Sequence, residues 1–128
     1  MFWFIIVLIV VLFIIFILYF YRNPKRVIRK NSDVILSPCD GKVLNINQCG
    51  EYVNIYTFIG VTDVHVQRAP VSGIVKEIRE IEGTYKPAYD LSASANNYRK
   101  QVVITTEEGY DVILVLKSGI LARRISVY

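Results

Sequence analysis

His65 is the single histidine of this 128-residue chain, and it lies in Asp63-Val64-His65-Val66-Gln67-Arg68-Ala69-Pro70, followed by Val71-Ser72-Gly73. An imidazole with a carboxylate two residues before it and a guanidinium three after it is a candidate for proton transfer, because its ordinary pKa lies near physiological pH. A lone histidine is also a common structural residue, so its neighbours decide. Two other segments carry residues of chemical interest. Ser37-Pro38-Cys39-Asp40-Gly41 holds an acid in an Asp-Gly pair, which taken alone is a turn. Gly119-Ile120-Leu121-Ala122-Arg123-Arg124-Ile125 holds paired arginines in a strand-like run, where they commonly protect an edge or face solvent. Cys39 and Cys49 form no C-x-x-C pair and have one histidine to join them, so no zinc site is expected.

The elements that must position these residues begin with an anchor. Phe2 to Tyr21 contains no charge, Gly, Pro or amide side chain. Twenty helical residues at about 1.5 Å each span roughly 30 Å, the thickness of a bilayer's hydrocarbon core. Trp3 marks one end and Tyr19, Phe20 and Tyr21 the other, as interfacial rings do. A soluble core helix would show a polar face. A cleaved signal peptide would show a basic start, a shorter apolar stretch and small residues at a cleavage site. Neither pattern is present. Arg22, Lys25, Arg26, Arg29 and Lys30 crowd the C-terminal flank, so the positive-inside rule predicts a single-pass membrane protein with its C-terminal domain in the cytoplasm. The same cluster can attract anionic lipid at about 1 kcal/mol per basic residue.

Beyond the Asn23-Pro24 break the chain reads as strands. Segments 42–47, 52–59, 61–66, 74–78, 101–106 and 110–116 alternate or are rich in β-branched and aromatic residues, and 120–128 begins another strand-like segment. Glu107-Glu108-Gly109 signals a tight hairpin, and 87–97 reads as a loop. The expected fold is mainly β: a β-sandwich or partly closed barrel preceded by one transmembrane α-helix. The expected divisions are an anchor at 1–21, a basic juxtamembrane linker at 22–33 and a β domain at 34–128. The 53% apolar share reflects the N-terminus, and the net charge of +4, from 15 basic and 11 acidic residues, is mild. It suits an anionic membrane surface, and no run of basic residues interleaved with stacking aromatics points to nucleic acid.

In this order, the three segments resemble the phosphatidylserine decarboxylase family. The match is most specific at Asp63 to Gly73, with Ser-Pro-x-Asp-Gly before it and Ala-Arg-Arg-Ile after it. Phe20-Tyr21-Arg22-Asn23-Pro24-Lys25-Arg26 resembles the aromatic-Arg-Asp/Asn-Pro segment that follows the anchor in short members. The resemblance implies pyruvoyl-dependent decarboxylation of phosphatidylserine to phosphatidylethanolamine in phospholipid biosynthesis, with no metal. A proenzyme of that family cuts itself at a Gly-Ser bond, and the serine becomes the pyruvoyl group that serves as electron sink.

By the same resemblance Asp40 and His65 are catalytic, an acid and an imidazole activating the serine for self-cleavage. Arg68, Arg123 and Arg124 are substrate-binding, through the phosphate. The implied partners are the phospholipid membrane and phosphatidylserine, and a homo-oligomer is compatible with the reading. Cys39 stands where Ala is usual, Arg68 where long forms carry a second histidine, and Asn97-Tyr98-Arg99 where Asn-Glu-Arg is usual. No Gly-Ser dipeptide occurs in the chain. The expectation is therefore a C-terminally incomplete domain, inactive as it stands. The alternatives are a non-catalytic relative that binds lipid headgroups or a partner, and a generic anchored β domain. The first is separated from the enzyme reading by whether Gly-Ser follows in the encoding DNA.

Overall fold

In the computed structural model, residues 1–28 and 34–128 are described. Arg29 and Lys30 of the basic flank, and the rest of the expected linker through residue 33, lie outside the described residues. The elements are helix α1 (Phe2–Phe20) and strands β1 (Lys42–Cys49), β2 (Tyr52–Phe58), β3 (Ile74–Ile81), β4 (Arg99–Thr105) and β5 (Asp111–Lys117).

The chain divides into two compact units. The first takes in α1, β1 and β2 and ends at Arg68. The second takes in the described residues 34–36 and Ala69–Tyr128. The mainly-β class holds. The sheets are antiparallel and open, one of two strands and one of three, and no closed barrel forms among the described residues.

α1 is long and apolar enough to cross a membrane. Its residues are open to their surroundings except Phe20, which is buried. The helix stops where its orphan carbonyls find another donor. Tyr21 N–H bonds the Ile17 carbonyl at 3.1 Å, and the Arg22 guanidinium donates to the Tyr19 carbonyl at 2.8 Å. Pro24 then biases Asn23 away from helical geometry.

β1 and β2 form a hairpin closed by Gly50-Glu51, with Cys49 paired to Tyr52. Gly50 has φ 62°, which the first central position of a primed hairpin turn requires. At the other end Gly41 has φ 140°, and a Cβ there would run into the Phe58 carbonyl oxygen. The ladder shifts register between Val43 and Asn45, a local irregularity next to the Ser37–Gly41 segment.

The second sheet runs β3-β4-β5, with β4 in the centre. Central placement explains why β4 alternates cleanly, with Val102 and Ile104 buried. The hairpin expected at Glu107-Glu108-Gly109 joins β4 to β5, with Gly109 at φ 89° and Thr106 N–H bonded to the Tyr110 carbonyl.

Two expected strands are absent. Segment 61–66 is irregular, because Gly60 and Asp63 close a turn. Asp63 N–H bonds the Gly60 carbonyl at 3.0 Å, and the Asp63 carboxylate accepts the Gly60 N–H at 2.7 Å. Segment 120–128 is also irregular. Gly119 N–H bonds the Ala122 carbonyl and Arg123 Nε donates to the Ile120 carbonyl, so local bonds replace a ladder.

Candidate functional site

The first unit gathers the His65 segment, the Asp40 segment and the end of α1. Val64 is buried and fixes the segment from inside, and half-buried His65 is its neighbour. His65 Nδ1 lies 3.0 Å from the Asp63 carbonyl oxygen. A carbonyl can only accept, so the neutral ring carries its proton on Nδ1 and leaves the Nε2 lone pair available as a base. Burial holds the His65 pKa below its ordinary 6.5. The hydrogen bond to Asp63 and the Asp63 charge oppose that shift, and the Arg22 charge adds to it. The outcome is a neutral imidazole at physiological pH.

Phe20 stacks on His65, with ring centroids 3.9 Å apart and planes 26° from parallel. Arg22, whose guanidinium lies 3.7 Å over the Tyr19 ring, donates to the Thr62 carbonyl at 2.7 Å. Arg68 donates to Asn23 Oδ1 at 2.7 Å. The residues just after α1 are therefore bonded repeatedly to segment 60–68.

The Asp40 segment lies beside this one. Arg68 N–H bonds the Pro38 carbonyl at 2.9 Å. Burial raises the Cys39 thiol pKa, and the charges of Asp40 and Asp63 raise it further, so both carboxylates are felt at Cys39. Asp40 itself is ion-paired with Arg26. Among the described residues no hydrogen bond joins Asp40 to His65, and the group that orients the imidazole is the Asp63 main-chain carbonyl. The sequence names Phe20, Arg26 and Asp63 within their segments but not what they do: the stacking of Phe20 on His65, the pairing of Arg26 with Asp40 and the bond of Asp63 to Gly60 all depend on the folded chain.

Arg123 and Arg124 belong to the second unit. With Glu80, Glu82, Tyr85 and Tyr98 they line a shallow cleft of about 380 Å³. The Arg123 guanidinium lies 5.4 Å from the Tyr85 ring centroid. The Tyr98 hydroxyl donates to Glu80, and this bond, with burial next, pushes the phenol up to about 12. The arginines thus share their cleft with two carboxylates that compete with any bound anion.

Asn97, which precedes Tyr98, is fully buried and uses all four of its hydrogen-bonding positions. Oδ1 accepts from Thr84 Oγ1 and Lys86 N–H, and Nδ2 donates to the Lys86 and Ser118 carbonyls, at 2.8 to 3.0 Å. It ties segment 84–86 to the end of β5 and has a structural task.

Comparison with known proteins bears on the family of the chain. Residues 13–128 match the family model described as phosphatidylserine decarboxylase. The phosphatidylserine decarboxylase proenzyme of Amoebophilus asiaticus is 38% identical over 119 residues, covering 88% of this chain and 53% of the relative. The protein of the same name from Carboxydothermus hydrogenoformans is 38% identical over 117 residues, covering 86% and 54%. That from Nocardia farcinica is 34% identical over 116 residues, covering 83% and 49%. The chain spans about half the length of these curated relatives. With nearly all of its residues past the first turns of α1 inside the match, and its distinctive segments in order, the chain belongs to the phosphatidylserine decarboxylase family.

Proposed function

We propose that this chain supplies the base-bearing part of a membrane-anchored phosphatidylserine decarboxylase, which converts phosphatidylserine to phosphatidylethanolamine. The observation that carries the reading is the state of His65: neutral, its Nδ1–H donating to the Asp63 carbonyl, with Nε2 left without a partner among the described residues and able to take a proton. In the family the first demand on that nitrogen is to activate a serine hydroxyl for self-cleavage. Asp40, paired with Arg26, holds the Ser37–Gly41 segment to the juxtamembrane residues. Arg68, Arg123 and Arg124 are the candidates for phosphate contact.

The family's pyruvoyl group is made from a serine that follows a glycine. No Gly-Ser pair occurs in these 128 residues, so the residues present do not supply the group, and no step through it is assigned to them. A second reading is a non-catalytic relative that holds lipid headgroups at the membrane. α1 crosses the membrane and the β-rich part faces the cytoplasm, as the basic flank favours. Alkaline carbonate washing should leave the protein in the membrane pellet, and release into the supernatant would remove the anchor from this account.

The discriminating experiment assays purified protein, free of host enzyme, for phosphatidylethanolamine. The 128-residue chain should make none. The chain extended by a short-form family tail with its Gly-Ser segment should make it. Product from the unextended chain would refute the serine requirement, and an inert extended chain would favour the non-catalytic reading.

A further inference from the structure

Of the nineteen residues of α1, Phe20 alone is buried, at 7% exposure, and what it covers is one face of the imidazole. A membrane-spanning segment has no need of such a contact. Its residues are satisfied by lipid, and a stop-transfer boundary needs only charge after the apolar run. The contact also does something the Asp63 carbonyl cannot. A single hydrogen bond at Nδ1 restrains one edge of the ring but still leaves it room to pivot about its own side-chain bonds. A ring stacked at 3.9 Å removes that pivot, because turning the imidazole would drive its edge into the phenyl face. Two constraints of different kind, one in the ring plane and one across it, then fix where Nε2 points.

We propose that Phe20, the last residue of the anchor helix, is a positioning residue for His65, so that the anchor forms part of the site. The inference rests on His65 acting as the base. Three polar contacts hold the arrangement from the same side: Arg22 to the Thr62 carbonyl, Asn23 Oδ1 to Arg68, and Arg26 to Asp40. Each joins residues 22–26 to the site segments, and together they set the helix end at a fixed distance from the histidine. Among the described residues, the charged groups acting on the ring are Asp63 and Arg22. Removing the phenyl ring returns water to one imidazole face, so the His65 pKa should rise toward 6.5. The reoriented base should also slow any proton transfer that depends on its aim, on the order of tenfold or more.

His65 is the only histidine, so its ring signals can be followed by NMR in the full chain in detergent micelles. The expected result is a nuclear Overhauser contact between the Phe20 and His65 rings, and His65 ring protons shifted upfield by the phenyl ring current. Phe20→Leu should abolish that shift and raise the pKa, whereas Phe20→Tyr, which keeps an aromatic ring, should retain both signatures. In the extended chain, Phe20→Leu should slow self-cleavage and Phe20→Tyr should restore it. Absence of the ring–ring contact in the unaltered chain overturns the proposal even where the Leu variant fails to fold. So does a Phe20→Leu protein that keeps the wild-type His65 pKa and cleavage rate. An extended wild-type chain that shows the contact yet never cleaves leaves Phe20 as the partner of His65 and instead refutes the role given to the histidine.

Discussion

The two compact units bury their polar groups in opposite ways. In the second, the buried polar side chains include Asn97 and Ser118, and their bonds tie the ends of β4 and β5 to one another and to segment 84–86. Val102, Ile104 and Leu116 supply an apolar interior beside them. In the first, the apolar residues that are buried are Phe20 and Val64, and the hairpin leaves Ile46, Val53 and Ile55 exposed. What holds the first unit's site is a set of exposed or half-buried contacts between the end of α1 and irregular segments. A sheet that satisfies itself can be a scaffold. A site made from a helix end and two loops is held by contacts that each contribute little, which leaves its groups accessible for chemistry.

The largest effect should come from breaking the scaffold. Asn97→Ala leaves the buried Ser118 carbonyl without its partner, at about 1–3 kcal/mol for a buried unpaired group, and frees the part-buried Lys86 N–H and carbonyl at a smaller cost each because water can reach them, for roughly 2–4 kcal/mol in all. The denaturant midpoint should drop, and hydrogen exchange should accelerate first in β4 and β5. Faster exchange in β1 and β2 instead would erase the contrast between the units.

Gly41→Ala attacks the first unit. The positive φ and the nearby Phe58 carbonyl both oppose a Cβ, and the expected cost is about 1–3 kcal/mol. The loss should appear as fraying of the β1–β2 ladder beside Asp40, while exchange in β4 and β5 stays slow.

A smaller effect follows from His65. Its folded pKa lies below the ordinary 6.5, so the unfolded chain takes up the proton first as pH falls. The contribution of the neutral ring is present in full above pH 6.5 and is lost as pH falls from there through the depressed folded value. The denaturant midpoint measured from pH 8 to pH 5 should fall more in the unaltered protein than in His65→Gln, and parallel curves would contradict the buried neutral state.

Smallest of all is Arg26→Ala. Both partners of the Arg26–Asp40 pair are about 40% exposed, at 42% and 41%, so the stability change should be within about 1 kcal/mol and should shrink with added salt. A loss as large as that of Asn97→Ala would mean that the site, too, is a scaffold.

Much of the fold is legible in the sequence where one local rule decides. The apolar run predicts a helix over 2–21, and α1 ends one residue earlier, where Arg22 reaches back to the Tyr19 carbonyl. Glu107-Glu108-Gly109 is a hairpin because Gly109 takes a positive φ that most residues avoid. Local rules also mislead. The alternation at 61–66 is genuine, yet the Asp63 side chain bonds Gly60 and turns the chain out of any ladder.

The site is legible in part. Asp40, His65 and Arg68 lie in one unit, where the Arg68–Pro38 bond joins two of their segments, while among the described residues no hydrogen bond joins Asp40 to His65 and Arg123 and Arg124 lie in the other unit. Phe20 is not legible, because nothing within a run of apolar residues distinguishes the one that meets a histidine forty-five positions away. Nor is Asn97, whose four bonds depend on Lys86 and Ser118, which only the folded chain brings to it.

The most direct test of the account is self-cleavage of the extended chain, read by mass spectrometry with and without His65. With the family's Gly-Ser segment appended, the protein should split at that bond into two fragments. The His65→Ala version should remain a single chain, because the serine would lose its base. Equal cleavage in both would contradict the account at its centre, since the neutral, Phe20-stacked imidazole would then have no part in the chemistry.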